Sequence, residues 1–140
     1  MNLSDLLKEG VVRKINPDTK QAQELLAAAE RDIRVAKKML ETDYDWAFSV
    51  AYNAMLQSAR ALMFVEGFTA VGEEHHKAAV HYADVKFGTK YAEMVGLFDD
   101  MRKKRHRVVY EKAGVVSEYE AKHAIKAAEE FLEKVREKMG

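Results

Sequence analysis

Arg102, Arg105, His106 and Tyr110 stand close together in the stretch Met101-Arg102-Lys103-Lys104-Arg105-His106-Arg107-Val108-Val109-Tyr110-Glu111. These residue types point to phosphate chemistry. A guanidinium presents a planar fork of donors that matches a phosphate. An imidazole exchanges a proton near neutral pH. A phenol with an ordinary pKa near 10 keeps its proton there and is a poor base. The chain as a whole has 23 basic and 23 acidic residues and no net charge, so any nucleic-acid contact must be local.

At about 100° per residue, Met94, Leu97, Phe98, Met101, Val108 and Val109 mark the apolar side of a helix. Lys103, Lys104 and Arg107 fall on the opposite side, towards solvent. His106 and Tyr110, four apart, share a face at the edge of the apolar arc together with Arg102. Arg105 falls inside the arc, between the directions of Met94 and Phe98. An unpaired buried guanidinium is costly, so its place has one of two explanations. Either it snorkels or pairs with Asp99 or Glu111, or it reaches a cleft or dimer seam and meets an anion.

The elements that must position this stretch read as helices. One proline, seven glycines and 48% hydrophobic residues describe a single globular domain able to bury a core. The absence of cysteine excludes disulfides and thiolate chemistry and suits a cytoplasmic setting. No apolar run reaches the roughly 20 residues needed to span a bilayer, and the first residues lack a signal-peptide pattern. Leu3, Leu6 and Leu7 suggest a short first helix within an N-terminal extension, residues 1–15. Asn16-Pro17 signals the start of a long amphipathic helix ending near Glu41. Asp43 caps the next, which runs to Glu66 and stops at Gly67. It is apolar nearly all round and is expected to be central. Glu73-Glu74 opens a fourth helix ending at Gly88, and another runs from Thr89 through the basic stretch. Ala113-Gly114 breaks it, and Ser117-Glu118-Tyr119-Glu120 has the form of a capping box for the last. The expected fold is all-α, a compact antiparallel bundle of about five main helices.

Other constellations carry less. Glu73, Glu74, His75, His76, His81 and Asp84 lack the spacing that sets two imidazoles on one helical face, so no metal and no cofactor is expected. His123 is expected to be exposed or to pack. Tyr44, Trp46, Phe48 and Tyr52 can be read as a base-stacking platform, but on an apolar helix they are better read as core or dimer packing.

From Asp18 to Lys138 the chain resembles the HEPN family of small helical domains. The resemblance rests on the order of its parts: the first long helix, Thr42-Asp43-Tyr44-Asp45-Trp46-Ala47, and the Ala-rich helix ending Ala61-Leu62. A histidine after the loop (His75 or His76) and Arg105-His106-Arg107-Val108-Val109-Tyr110 complete it. The resemblance implies a homodimer, often encoded beside a nucleotidyltransferase-like partner. Many members are metal-independent endoribonucleases, often toxins of toxin–antitoxin pairs. Their motif is an arginine, usually a polar residue, and a histidine four to six residues past the arginine. Arg105 matches that arginine, His106 takes the polar position, and Tyr110 stands where the histidine would be.

Three functions follow. In the first, an RNA-directed toxin-like protein sets Arg105 on the scissile phosphate and Arg102 on backbone phosphate. His106 and Tyr110 then orient RNA or move a proton. In the second, a non-catalytic module binds a nucleotide or a partner. In the third, the basic stretch is only a surface.

Overall fold

A computed structural model describes all residues, 1–140. It contains six α-helices: α1 (Leu3–Lys8), α2 (Thr19–Met39), α3 (Tyr44–Glu66), α4 (His75–Phe87), α5 (Ala92–Tyr110) and α6 (Glu118–Met139). Two short strands, β1 (Val12–Lys14) and β2 (Phe68–Ala70), form an antiparallel pair with Val12 opposite Ala70 and Lys14 opposite Phe68. The all-α expectation holds for the body of the molecule. The strand pair is new, and three-residue strands are too short to leave a periodic signal.

α3 is the central helix, packed along α2 on one side and α6 on another, with α4 and α5 completing its cover. Its small residues Ala47, Ala51, Ala54 and Ala61 are buried and permit close approach of its neighbours. Its large ones, Phe48, Tyr52, Met55 and Met63, fill the core beside Phe98 and Phe131. One polar pair joins α2 to α3: the Asn53 amide donates to the buried Asp32 carboxylate at 2.8 Å.

The helix ends follow local chemistry. Asp43 caps α3 by accepting from the Trp46 amide at 3.0 Å, and Gly67 ends it in the left-handed region at φ 88°. Ser117 and Glu120 form the reciprocal capping box of α6. At α2, however, the cap is Asp18, whose carboxylate accepts from the Gln21 amide, and Asn16-Pro17 lies before the helix. The Ile15 amide donates to the Gly67 carbonyl at 2.9 Å, which holds the chain extended past β1 and delays the helix. A 3₁₀ turn, Thr89–Tyr91, precedes α5. No helix is long and apolar enough to cross a membrane.

Candidate functional site

α5 carries the basic stretch past the middle of α3. Val95, Phe98 and Met101 are its buried anchors, and Phe98 lies 5.9 Å from the Tyr52 ring, centroid to centroid. One turn further on, Arg102 bonds Asp99 through both Nε and Nη2 at 2.9 Å. Lys103 reaches the second oxygen of the same carboxylate at 3.1 Å. Burial pushes the Asp99 carboxyl up, but its bonds to Lys103 and Arg102 outweigh that and hold it below its usual value.

Arg105 is the exception. It is half-buried, and no carboxylate lies within 4 Å of it. Asp99 is already engaged by Arg102 and Lys103, and Glu111 does not reach. Pairing is therefore not what holds Arg105 on the inner side of the helix. Its charge is felt instead by Tyr52 and His76.

Those two residues form a unit. The Tyr52 hydroxyl lies 2.9 Å from Nδ1 of His76, and the rings stack at 5.7 Å with 17° between their planes. Tyr52 is fully buried and His76, in the first turn of α4, is half-buried. Burial pushes the His76 pKa below its ordinary 6.5, and the charges of Arg105, His75, Arg102 and Arg60 push it the same way. The imidazole is therefore neutral at neutral pH. Burial likewise raises the Tyr52 pKa, more than Arg105 and Arg102 lower it, so the phenol stays protonated. With Nδ1–H donating to the phenol oxygen, Nε2 carries a free lone pair; with the phenol donating, Nε2 carries the proton.

The nominated residues thus divide. Arg102 and Arg105 act on the Tyr52–His76 side. His106 and Tyr110 pair with each other, ring centroids 4.9 Å apart, and stand exposed, Tyr110 at 67%. Two assignments from the helical wheel are corrected. Lys104 is not solvated; it is half-buried and pairs with Glu120 of α6. Val109 is exposed instead of apolar core. Phe48 and Tyr52 pack in the core as expected, whereas Tyr44 and Trp46 are exposed and lie outside it. The Tyr52 hydroxyl also needed a partner, and that requirement was the available pointer to His76. His81 and Asp84 line a groove between α4 and α5 that also contains Arg102. No three His, Asp or Glu side chains are grouped closely enough to hold a metal ion.

The family model described as HEPN domain matches residues 22–138. This chain belongs to the HEPN domain family. Two solved structures share the HEPN fold seen here. TT1696 from Thermus thermophilus has a TM-score of 0.66 and 23% identity, covering 84% of this chain and 98% of its own. ST0689, an archaeal HEPN homologue, has a TM-score of 0.67 and 19% identity, covering 86% of this chain and 99% of its own. A comparison with curated proteins gives no match.

Proposed function

We propose that this HEPN protein is RNA- or nucleotide-directed and that Arg105 receives a phosphate of its ligand. The observation that carries this reading is the half-buried guanidinium without a carboxylate, whose charge is felt by a neutral imidazole and a protonated phenol. An anion supplies the missing counter-charge, through hydrogen bonds about twice as strong as neutral ones. Arg102, braced by Asp99, takes an adjacent backbone phosphate.

The same arrangement has the parts for metal-independent cleavage. His76 Nε2, in the tautomer that donates to Tyr52, takes the proton of a ribose 2′-hydroxyl. The 2′-oxygen bonds to phosphorus and the bond from phosphorus to the 5′-oxygen breaks. A 2′,3′-cyclic phosphate and a 5′-hydroxyl result, the leaving oxygen taking a proton from His106, Tyr110 or water. Arg105 steadies the charge on the phosphate. His76 thereby fills the role that Tyr110 cannot.

The test is single-stranded RNA incubated with the purified protein in chelator, parent against Arg105→Ala. We expect the variant to bind about tenfold more weakly or worse, the loss of a charge-assisted contact. Equal binding overturns the assignment. A cyclic-phosphate product lost in His76→Gln places the base there; loss only in His106→Gln or Tyr110→Phe moves it to the outer pair.

A second reading, a partner-binding module, is favoured by two exposed rings. Tyr110 ends α5 at 67% exposure and Tyr119 begins α6 at 75%. Such rings suit the contact of a homodimer or a nucleotidyltransferase-like partner, as in a toxin–antitoxin pair. Sedimentation of the parent and of a Tyr110→Ser, Tyr119→Ser double variant tests it; a monomer in both cases removes the homodimer.

A further inference from the structure

Beyond Arg105, towards the end of α5, lies a second opening whose residues the phosphate reading does not use. The first turn of α3 and the last turn of α5 enclose a cavity of about 220 Å³. Trp46, Val108 and Val109 supply apolar lining, and the exposed Asp43, the half-buried Asp45 and the buried Ser49 supply the polar lining. Ser49 is only 6% exposed, and its hydroxyl is the one buried side-chain polar atom in the molecule with no hydrogen-bond partner. A buried hydroxyl left unpaired costs stability, so a ligand group that bonds it is favoured.

The polar lining is rich in acceptors and only partly engaged. Asp45 spends both oxygens on the amides of Gly114 and Val116. Asp43 uses Oδ1 on the Trp46 amide, while Oδ2 has no protein partner. The free polar groups are thus one carboxylate oxygen and one hydroxyl, which suit a ligand that donates N–H. Trp46 is 58% exposed, leaving its ring available for stacking. The volume is below the roughly 300–1,000 Å³ of drug-sized ligands and suits one flat ring system. Two carboxylates in the lining repel a phosphate, but Arg105 lies only three and four residues before Val108 and Val109. That is about one turn, or roughly 5 Å, along the same helix.

We propose that this cavity is the subsite for a nucleobase bearing an exocyclic amine, next to the phosphate held by Arg105. It rests on the phosphate reading and extends it: Trp46 stacks on the base, and Ser49 and Asp43 accept from its amino group. Adenine, guanine and cytosine offer two N–H donors on one exocyclic nitrogen; uracil offers a single ring N–H and can satisfy only one of the two acceptors.

Trp46 is the only tryptophan in the chain, so its emission reports on the subsite directly. Titration with adenosine monophosphate is expected to quench it saturably, and uridine monophosphate to need at least about fivefold more, as for a lost hydrogen bond of about 1 kcal/mol. Ser49→Ala should weaken the adenosine monophosphate response by a similar factor, and Val109→Glu, on an exposed position, should block it. Both variants are first shown by circular dichroism to be folded. Adenosine should still quench in Arg105→Ala, in which adenosine monophosphate and RNA bind more weakly. If Arg105→Ala loses RNA while no nucleoside or nucleotide quenches Trp46, the subsite is wrong and the phosphate reading stands. If adenosine quenches and Ser49→Ala weakens it, but Arg105→Ala leaves nucleotide and RNA binding unchanged, the base site stands and the phosphate reading falls. Emission that follows protein concentration and ignores nucleotides marks a contact between copies, which overturns the proposal.

Discussion

The Tyr52 hydroxyl sits 2.9 Å from Nδ1 of His76, so the centre of α3 and the first turn of α4 are joined by a phenol–imidazole bond. The pair feels the charge of Arg105, which α5 carries.

The pH dependence of stability should report the pair. The folded-state pKa of His76 lies below the unfolded value, so the unfolded chain binds the proton first as pH falls. The stability contributed by neutral His76 is complete above about pH 6.5 and is lost as pH falls through the folded value. Urea midpoints of the parent should therefore drop on acidification below about pH 6.5. His76→Gln, which does not titrate but can still bond the phenol, should show a shallower drop. Parallel slopes would place the titration elsewhere.

Arg105 should show a split between stability and binding. Replacing it with leucine removes an uncompensated charge from a half-buried position, so stability should stay within about 0.5 kcal/mol of the parent or rise. RNA affinity should fall by about ten- to a hundredfold, as for a charge-assisted contact of roughly 1.5–3 kcal/mol. A large stability loss without a binding loss would make Arg105 a packing residue.

Anion binding beside His76 should also take up a proton. A phosphate at Arg105 screens the cation and favours the imidazolium, which raises the His76 pKa. Affinity for a short oligonucleotide should therefore strengthen from about pH 8 to about pH 6, more than in His76→Gln. An identical pH profile in the two proteins would separate the ligand from His76.

Asp45 fastens the connection between α5 and α6 through the amides of Gly114 and Val116. Asp45→Ala should cost about 1–3 kcal/mol in urea unfolding, since two donors lose a charged acceptor. Amide exchange at Gly114 and Val116 should speed up first.

Gly67→Ala should be among the costlier single changes outside the core. Gly67 has φ 88°, and an added Cβ would stand 2.9 Å from the Ile15 carbonyl oxygen and 3.2 Å from the Pro17 ring. The left-handed backbone alone costs about 1–2 kcal/mol, and the contact adds to it. A loss of about 2 kcal/mol or more is expected by chemical denaturation.

Much of this architecture was legible because it is local. Asp43 before an apolar run, Gly67 after it, and Ser117 with Glu120 each act within a few residues; the first and last start α3 and α6, and Gly67 ends α3, where expected. Arg105 was conspicuous for the same reason, since its misfit is visible on its own helix. Lys104 was misplaced although seven residues at about 100° bring it to within roughly 20° of Leu97, at the edge of the apolar arc; from there it reaches Glu120 on α6. Asn16-Pro17 failed as a helix start because Ile15 is held by Gly67, a residue remote in sequence. The Tyr52–His76 bond and the Ser49 cavity are likewise meetings of distant segments, which no spacing encodes.

The strand pair has a consequence for the order in which the molecule assembles. β1 and β2 flank the α2–α3 hairpin, so they meet only once that hairpin has closed, a loop-closure cost paid before the pairing returns anything. α1 rides on β1 and packs against α4, the helix that bears His76. The N-terminal arm, which precedes the family-matched residues 22–138, is thus a latch fastened late. Because α1 packs against α4 and has no comparable contact with α5, loosening of this arm is expected to reach the helix of His76 before the helix of Arg105.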